Sequence, residues 1–129
     1  ARNMQEFDIY VALKKGLYRW NSANNQLEPI KSGDFRGRIG RQTFVASASL
    51  VLIFVADYDR MGKMEEASKE FYSAADCGYI SQNVYLFAAS ENLSTVVLGS
   101  VERESVAQLL GLKATQKIVF AQPVGFAQP

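Results

Sequence analysis

Two short stretches hold the atoms best suited to binding chemistry in this chain. Arg2-Asn3-Met4-Gln5 precedes the first strand-like segment, and Val97-Leu98-Gly99-Ser100 closes a strand-like segment that follows a long helical one. The carboxamide of Asn3 can donate and accept together, which suits the alternating N–H and C=O edge of a pyrimidine-type ring. A strand that ends on glycine lets a flat ligand lie against bare backbone amides. Amides just ahead of a helix start also favour developing negative charge. Each stretch has a plainer reading: Asn3 can cap a turn, and Gly99 can simply permit a bend.

Most other chemistries drop out. The chain has no histidine, which removes the Ser-His and Cys-His nucleophile pairs, the usual zinc sets and the commonest general base. Its single cysteine, Cys77, excludes an internal disulfide and points to a reducing, cytoplasmic setting. With no basic neighbour in sequence to lower its pKa, Cys77 reads as a small buried hydrophobe on a helix. Glu65-Glu66 and Glu102 with Glu104 fall in first helical turns, where negative charge is favoured by the helix dipole. Asp57-Tyr58-Asp59 follows an apolar strand and reads as a polar loop. Gly33, Gly37 and Gly40 lack the G-x-G-x-x-G order of a dinucleotide loop. Tyr72 and Tyr79 could donate protons but read as core tyrosines. If the protein is an enzyme, its reactive group is a bound cofactor.

Composition sets the outer bounds. The 129 residues are 48% hydrophobic and 21% charged, the profile of one globular domain over residues 1–129. Fourteen basic against thirteen acidic residues leave a formal charge of +1, which gives no support for nucleic-acid or membrane-surface binding. Arg36, Arg38 and Arg41 cluster in a glycine-punctuated loop and read as a solvated or phosphate-touching turn rather than a nucleic-acid footprint. No apolar run is long enough to cross a membrane as a helix. The sequence opens at Ala1 without an initiator methionine and stops at Pro129 just after a strand, so both ends read as cut.

The elements that must position the two stretches follow from periodicity. Phe7 to Leu13 alternates as a strand; Leu17 to Asn21 and Gln26 to Ile30 complete a meander, with Pro29 suited to an edge. Ser32 to Gly40 reads as a loop or short irregular helix. Leu50 to Val55 is apolar without alternation, as expected of a strand covered by helices on both faces. Met64 to Phe71 is a modest helix. Ser73 to Glu91 is a stronger one, buried along much of its length, and its apolar surface is wide enough for a central or subunit-interface position. Thr95 to Leu98 is a short strand, Glu102 to Leu110 a helix closed by Gly111, and Lys117 to Gln122 the last strand. Strands and helices mix without strict alternation, so the fold class is α+β.

Read together, these pieces resemble one family. The run Ala1-Arg2-Asn3-Met4-Gln5-Glu6-Phe7-Asp8-Ile9-Tyr10-Val11 resembles the Ser-x-x-Asn-x-Gln-Pro-Trp-x-x-x-Val segment of nitroreductase-like flavoproteins. Gly78 to Leu86, Gly99, Leu109-Leu110-Gly111-Leu112 and Pro123-Val124-Gly125-Phe126 match that family's C-terminal half in order and spacing, closest to the branch that includes peptide-azoline dehydrogenases. The resemblance implies an FMN-dependent oxidoreductase: an α+β homodimer with a central mixed or antiparallel sheet, helices on both faces, and flavin in the subunit interface. It implies cofactor binding by Arg2, Asn3, Met4 and Gln5, with the Asn3 amide on the flavin's pyrimidine edge, and by Val97, Leu98, Gly99 and Ser100, with the backbone amides of Leu98 and Gly99 approaching flavin N5 and O4. NAD(P)H or an organic donor would supply electrons for a quinone, a nitro compound or a peptide heterocycle. Three features depart from the pattern. The arginine-rich N-terminal segment that grips the FMN phosphate is missing, the C-terminal basic residues would lie beyond Pro129, and Glu6 stands where proline is usual. Arg2, Arg36, Arg38 and Arg41 are the residues that could substitute at the phosphate. A non-catalytic flavin or small-ligand binding dimer, and an interaction-only dimer, remain the alternative readings.

Overall fold

A computed structural model describes residues 2–127; Ala1, the first residue of the N-terminal motif, and Gln128-Pro129 lie outside the described residues. The strands are β1 (Phe7–Leu13), β2 (Gly16–Asn21), β3 (Gln26–Ser32), β4 (Leu50–Asp57), β5 (Leu93–Thr95) and β6 (Gln116–Phe126), with helices α1 (Glu66–Ser90) and α2 (Arg103–Leu110). Short 3-10 turns occupy Arg36–Arg38, Thr43–Ser47 and Tyr58–Met61. The six strands form one sheet in the order β3-β2-β1-β4-β6-β5, and every pairing is antiparallel. The expected α+β class and the helices on both faces are what the chain adopts. Of the two sheet types left open, it is the antiparallel one.

The unbroken apolar run of β4 has the reason anticipated for it. Val51, Ile53 and Val55 face a core shared with Val106 and Leu110 of α2 and with Ile39, Val45 and Leu98. The opposite face meets α1, where the buried Gln122 side chain donates to the Ser81 carbonyl at 3.5 Å. Pro29 lies in β3 at the sheet edge, where its missing N–H costs no ladder bond.

Four expectations need correction. The helices read as Met64–Phe71 and Ser73–Glu91 are one 25-residue helix, because no glycine or proline interrupts the stretch between them. That helix is not buried along much of its length. Only Ser73, Cys77, Ser81 and Ala88 are buried, whereas Phe71, Tyr79, Leu86 and Phe87 are 69%, 72%, 60% and 59% exposed. The strand expected at Thr95–Leu98 ends at Thr95, and Leu98 makes only an isolated bridge to Ala121. The last strand runs on past Gln122 to Phe126, because β5 pairs Leu93, Ser94 and Thr95 with Phe126, Gly125 and Val124.

Candidate functional site

The registers place the two candidate stretches at one end of the sheet. Tyr10 pairs with Ile53, Ile53 with Ala121 and Ala121 with Leu98; at roughly 4.8 Å per strand this line spans about 14 Å. From it, the chain running back from Tyr10 to Gln5 and the chain running on from Leu98 to Ser100 head the same way. Both lead toward the end where Phe7, Ala56 and Lys117 stand abreast.

The segment after Val97 is held on three sides. The Val97 N–H donates to the Tyr85 hydroxyl at 2.8 Å, fixing the segment to α1. Leu98 donates to the Ala121 carbonyl at 2.7 Å and accepts from the Ala121 N–H at 3.2 Å. The loop at 39–41 supports the other side: Arg41 N–H donates to the Ser100 carbonyl at 3.4 Å and Glu102 N–H to the Ile39 carbonyl at 3.0 Å. Contact there is close enough that a Cβ on Gly40 would sit 2.9 Å from Leu98 Cδ1. Among the described residues no backbone carbonyl accepts the N–H of Gly99 or Ser100. At Gly99 the only neighbour an added Cβ would meet is the Phe120 ring, at 3.9 Å. Two unpaired amides in front of open backbone are what a flat acceptor-edged ring requires. Leu98, expected to contribute its amide, spends it on Ala121.

The N-terminal stretch is held more lightly. Arg2, Asn3 and Gln5 all have positive φ near 51–52°, a conformation asparagine tolerates better than arginine or glutamine. Gln5 Nε2 donates to Asn3 Oδ1 at 3.2 Å, which leaves the Asn3 NH₂ free to donate outward. Met4 is half-buried. Arg60 anchors the stretch: Nη1 donates to the Gln5 carbonyl at 3.0 Å while the guanidinium pairs with Asp8 at 2.7 Å and Asp57 at 3.4 Å. Glu6, at the position where proline was expected, is buried. Burial and a hydrogen bond with Asp76 of α1 push its carboxyl above the ordinary range. Asp76 is drawn below its own ordinary value: burial, the largest single influence, opposes this, and the bond from Glu6 is one of several interactions that together outweigh it.

Sequence reasoning missed Tyr85, Arg60, Arg103 and the burial of Glu6. Three of these act through main-chain carbonyls or amides, for which no motif exists. Cys77 is buried with its thiol pushed up to about 12 by desolvation, as read. Tyr79, read as a core tyrosine, is exposed. The loop arginines have partners elsewhere: Arg36 pairs with Asp34 at 2.7 Å and donates to the Ala48 carbonyl, Arg41 pairs with Glu102 at 2.8 Å, and the Arg38 guanidinium lies 5.7 Å from the Phe35 ring centroid. The ring end of a flavin therefore finds suitable donors on this chain. For its phosphate, Arg36 and Arg41 could serve only by giving up those partners. Two clefts open at the surface. One of about 430 Å³ is lined by Phe44, Thr95, Val96 and Phe126, and one of about 410 Å³ by Arg103, Leu112, Lys113 and Lys117. Neither is lined by residues 2–5 or 97–100; the two stretches share an end of the sheet without lining either cleft.

A wholly antiparallel six-stranded sheet flanked by α1 and α2 defines an α+β scaffold. The nitroreductase family model matches residues 1–126, and the chain belongs to the nitroreductase family. It is 27% identical over 119 residues to a protein of Methanocaldococcus jannaschii named as a nitroreductase, across 89% of this chain and 59% of that one. It is 34% identical over 95 residues to an NADPH-flavin oxidoreductase of Vibrio harveyi, across 67% of this chain and 39% of that one. A crystal structure of a nitroreductase-type protein from Ralstonia eutropha superposes with a TM-score of 0.89 at 37% identity, covering 97% of this chain and 60% of that one. The chain thus spans about three fifths or less of the length of these relatives.

Proposed function

We propose that this chain forms the ring-binding part of an FMN-dependent oxidoreductase, closest to the peptide-azoline dehydrogenase-like branch, whose site is completed by a second copy. The observation that carries this is the pair of unpaired N–H groups at Gly99 and Ser100, at the same sheet end as Asn3. In this reading the Asn3 amide meets the pyrimidine edge of the flavin, with Arg2, Met4 and Gln5 shaping the same stretch. The Gly99 and Ser100 amides face the N5–O4 side, where negative charge gathers, and Val97 and Leu98 hold them there. A preorganised main-chain donor acts without reorganising when charge develops. Bound flavin supplies the redox chemistry, with electrons from NAD(P)H or an organic donor passing to a quinone, nitro compound or peptide heterocycle.

The exposed apolar side chains of α1 support a homodimer built across that helix, since Phe71, Tyr79, Leu86 and Phe87 are all exposed along it. No helix among the described residues is long and apolar enough to cross a membrane; the cytoplasmic reading rests on the lone cysteine. The test is to mix the purified chain with FMN and record its spectrum, then add NADPH without oxygen. A bound-flavin spectrum that bleaches supports the oxidoreductase. Bound flavin that does not bleach with NADPH, NADH or dithionite-calibrated organic donors supports the non-catalytic binder, and absence of binding at millimolar FMN overturns both.

A further inference from the structure

We propose that Arg103 is a positioning residue for the Ser100 amide, a role that rests on reading this segment as the flavin edge. Its guanidinium holds three main-chain carbonyls at once: Nε donates to Ile118 O at 3.0 Å, Nη1 to Gly99 O at 3.0 Å and Nη2 to Val119 O at 2.6 Å. The Gly99 carbonyl and the Ser100 N–H belong to one planar trans peptide unit, so they point in opposite directions. Fixing the carbonyl therefore aims the N–H. The preceding peptide unit, which carries the Leu98 carbonyl and the Gly99 N–H, is fixed separately by the Ala121 N–H. Each of the two unpaired amides thus has its own anchor, and Ser100 owes its direction to Arg103.

Two further facts support the assignment. Arg103 is the first residue of α2, where a cation is disfavoured by the helix dipole. Its place there is explained by the carbonyls it gathers. Among the described residues, the one other donor to the Gly99 carbonyl is the Val101 N–H at 3.0 Å, a bent two-residue contact that cannot set the peptide plane as a planar three-way fork does. The fork also ties the segment to β6 below the single Leu98–Ala121 bridge.

The experiment uses Arg103→Lys and Arg103→Ala in the full chain. Lysine keeps the charge but not the fork, so both variants should release the peptide plane. In the flavin-free protein the ¹H–¹⁵N resonance of Ser100 should move or broaden in both, while that of Gly99, held by Ala121, stays in place. This readout needs no cofactor, so it stands even if the flavin reading fails. With FMN bound, the preference for reduced over oxidised flavin should fall about tenfold, read as a drop of about 30 mV in a two-electron midpoint potential. An unmoved Ser100 resonance in Arg103→Ala, or full recovery of both readouts by Arg103→Lys, overturns the proposal. Equal movement of Gly99 and Ser100 also overturns it, since that would mean general loosening.

Discussion

Leu98 and Ala121 exchange both of their main-chain hydrogen bonds, at 2.7 and 3.2 Å, and this one bridge is the whole ladder between the candidate site segment and the sheet. The loop at 39–41 must therefore carry much of the remaining support, and its closest approach is at Gly40. A methyl at Gly40 would lie 2.9 Å from Leu98 Cδ1 and 3.3 Å from Val45 Cγ2. Gly40→Ala should destabilise the fold by about 1–3 kcal/mol through overpacking. Chemical denaturation of the variant beside the parent measures this, and an unchanged midpoint would show that Leu98 swings aside freely.

Arg60 joins the N-terminal stretch to the end of β4 through the Gln5 carbonyl, Asp8 and Asp57. The group is more than a third exposed, so solvent screening keeps its stability contribution to roughly 1 kcal/mol or less. Arg60→Ala should therefore leave the melting temperature almost unmoved while weakening FMN binding by several fold, because Asn3 loses its fixed support. Titration of FMN fluorescence checks this. Equal affinities would mean that residues 2–5 are ordered by something else. The companion change Asn3→Ala should weaken flavin binding without unfolding the protein.

Cys77 is fully buried on the sheet side of α1, and desolvation lifts its thiol to about 12. At pH 8 it should resist Ellman's reagent in the folded protein and react fully in guanidinium chloride, since the thiolate is the attacking form. Rapid labelling of the native protein would show that α1 leaves the sheet easily.

Burial and the hydrogen bond with Asp76 raise the Glu6 carboxyl above its ordinary value, while that of Asp76 is lowered. A raised carboxyl stabilises the fold below its ordinary value of 4.5, and that gain is lost as pH climbs through the folded pKa. The depressed Asp76 works oppositely: its contribution is present above 3.8 and lost on acidification below it. Glu6→Gln keeps a donor for Asp76 but cannot ionise. It should flatten the fall in stability from pH 5 toward 8 and leave the acid limb intact. Denaturation curves at pH 5.5 and 8.0 with the same slope for both proteins would show that the pair does not titrate in that range.

The outer side of α1 is the most exposed apolar surface of the helix. Tyr79→Glu and Leu86→Glu place charge on it without touching the sheet-facing Ser73, Cys77, Ser81 or Ala88. Light scattering should show the parent as a dimer at micromolar concentration and the double variant as a monomer with unchanged circular dichroism. A monomeric parent would remove the proposed interface.

Much of this fold was legible because its signals are local. Alternation marked β1, the unbroken run marked β4, and Gly111, which takes φ 68° at the end of α2, marked that stop. What escaped depends on distant partners. Thr95 was read as a strand start, yet it is the strand's end, because Val124 to Phe126 supply its ladder. The periodicity of α1 showed a wide apolar surface but not which side meets the sheet: small residues face inward and large aromatics outward. The site divides in the same way. Gly99 and Asn3 announce themselves by residue type. Arg60 and Tyr85 act on backbone atoms of residues far along the chain, and Arg103 joins the nearby Gly99 carbonyl to the distant Ile118 and Val119 carbonyls, which no spacing rule encodes.

The central ladders have a kinetic consequence. β4 pairs with β1 on one side and β6 on the other, bringing the start, middle and end of the chain together. Such remote pairings close large loops before any contact rewards them, so refolding should be slow for this size, roughly milliseconds to seconds. Neither stretch of the candidate site can take its place until that search is finished. A nascent chain would expose the apolar β4 until its last strand had left the ribosome.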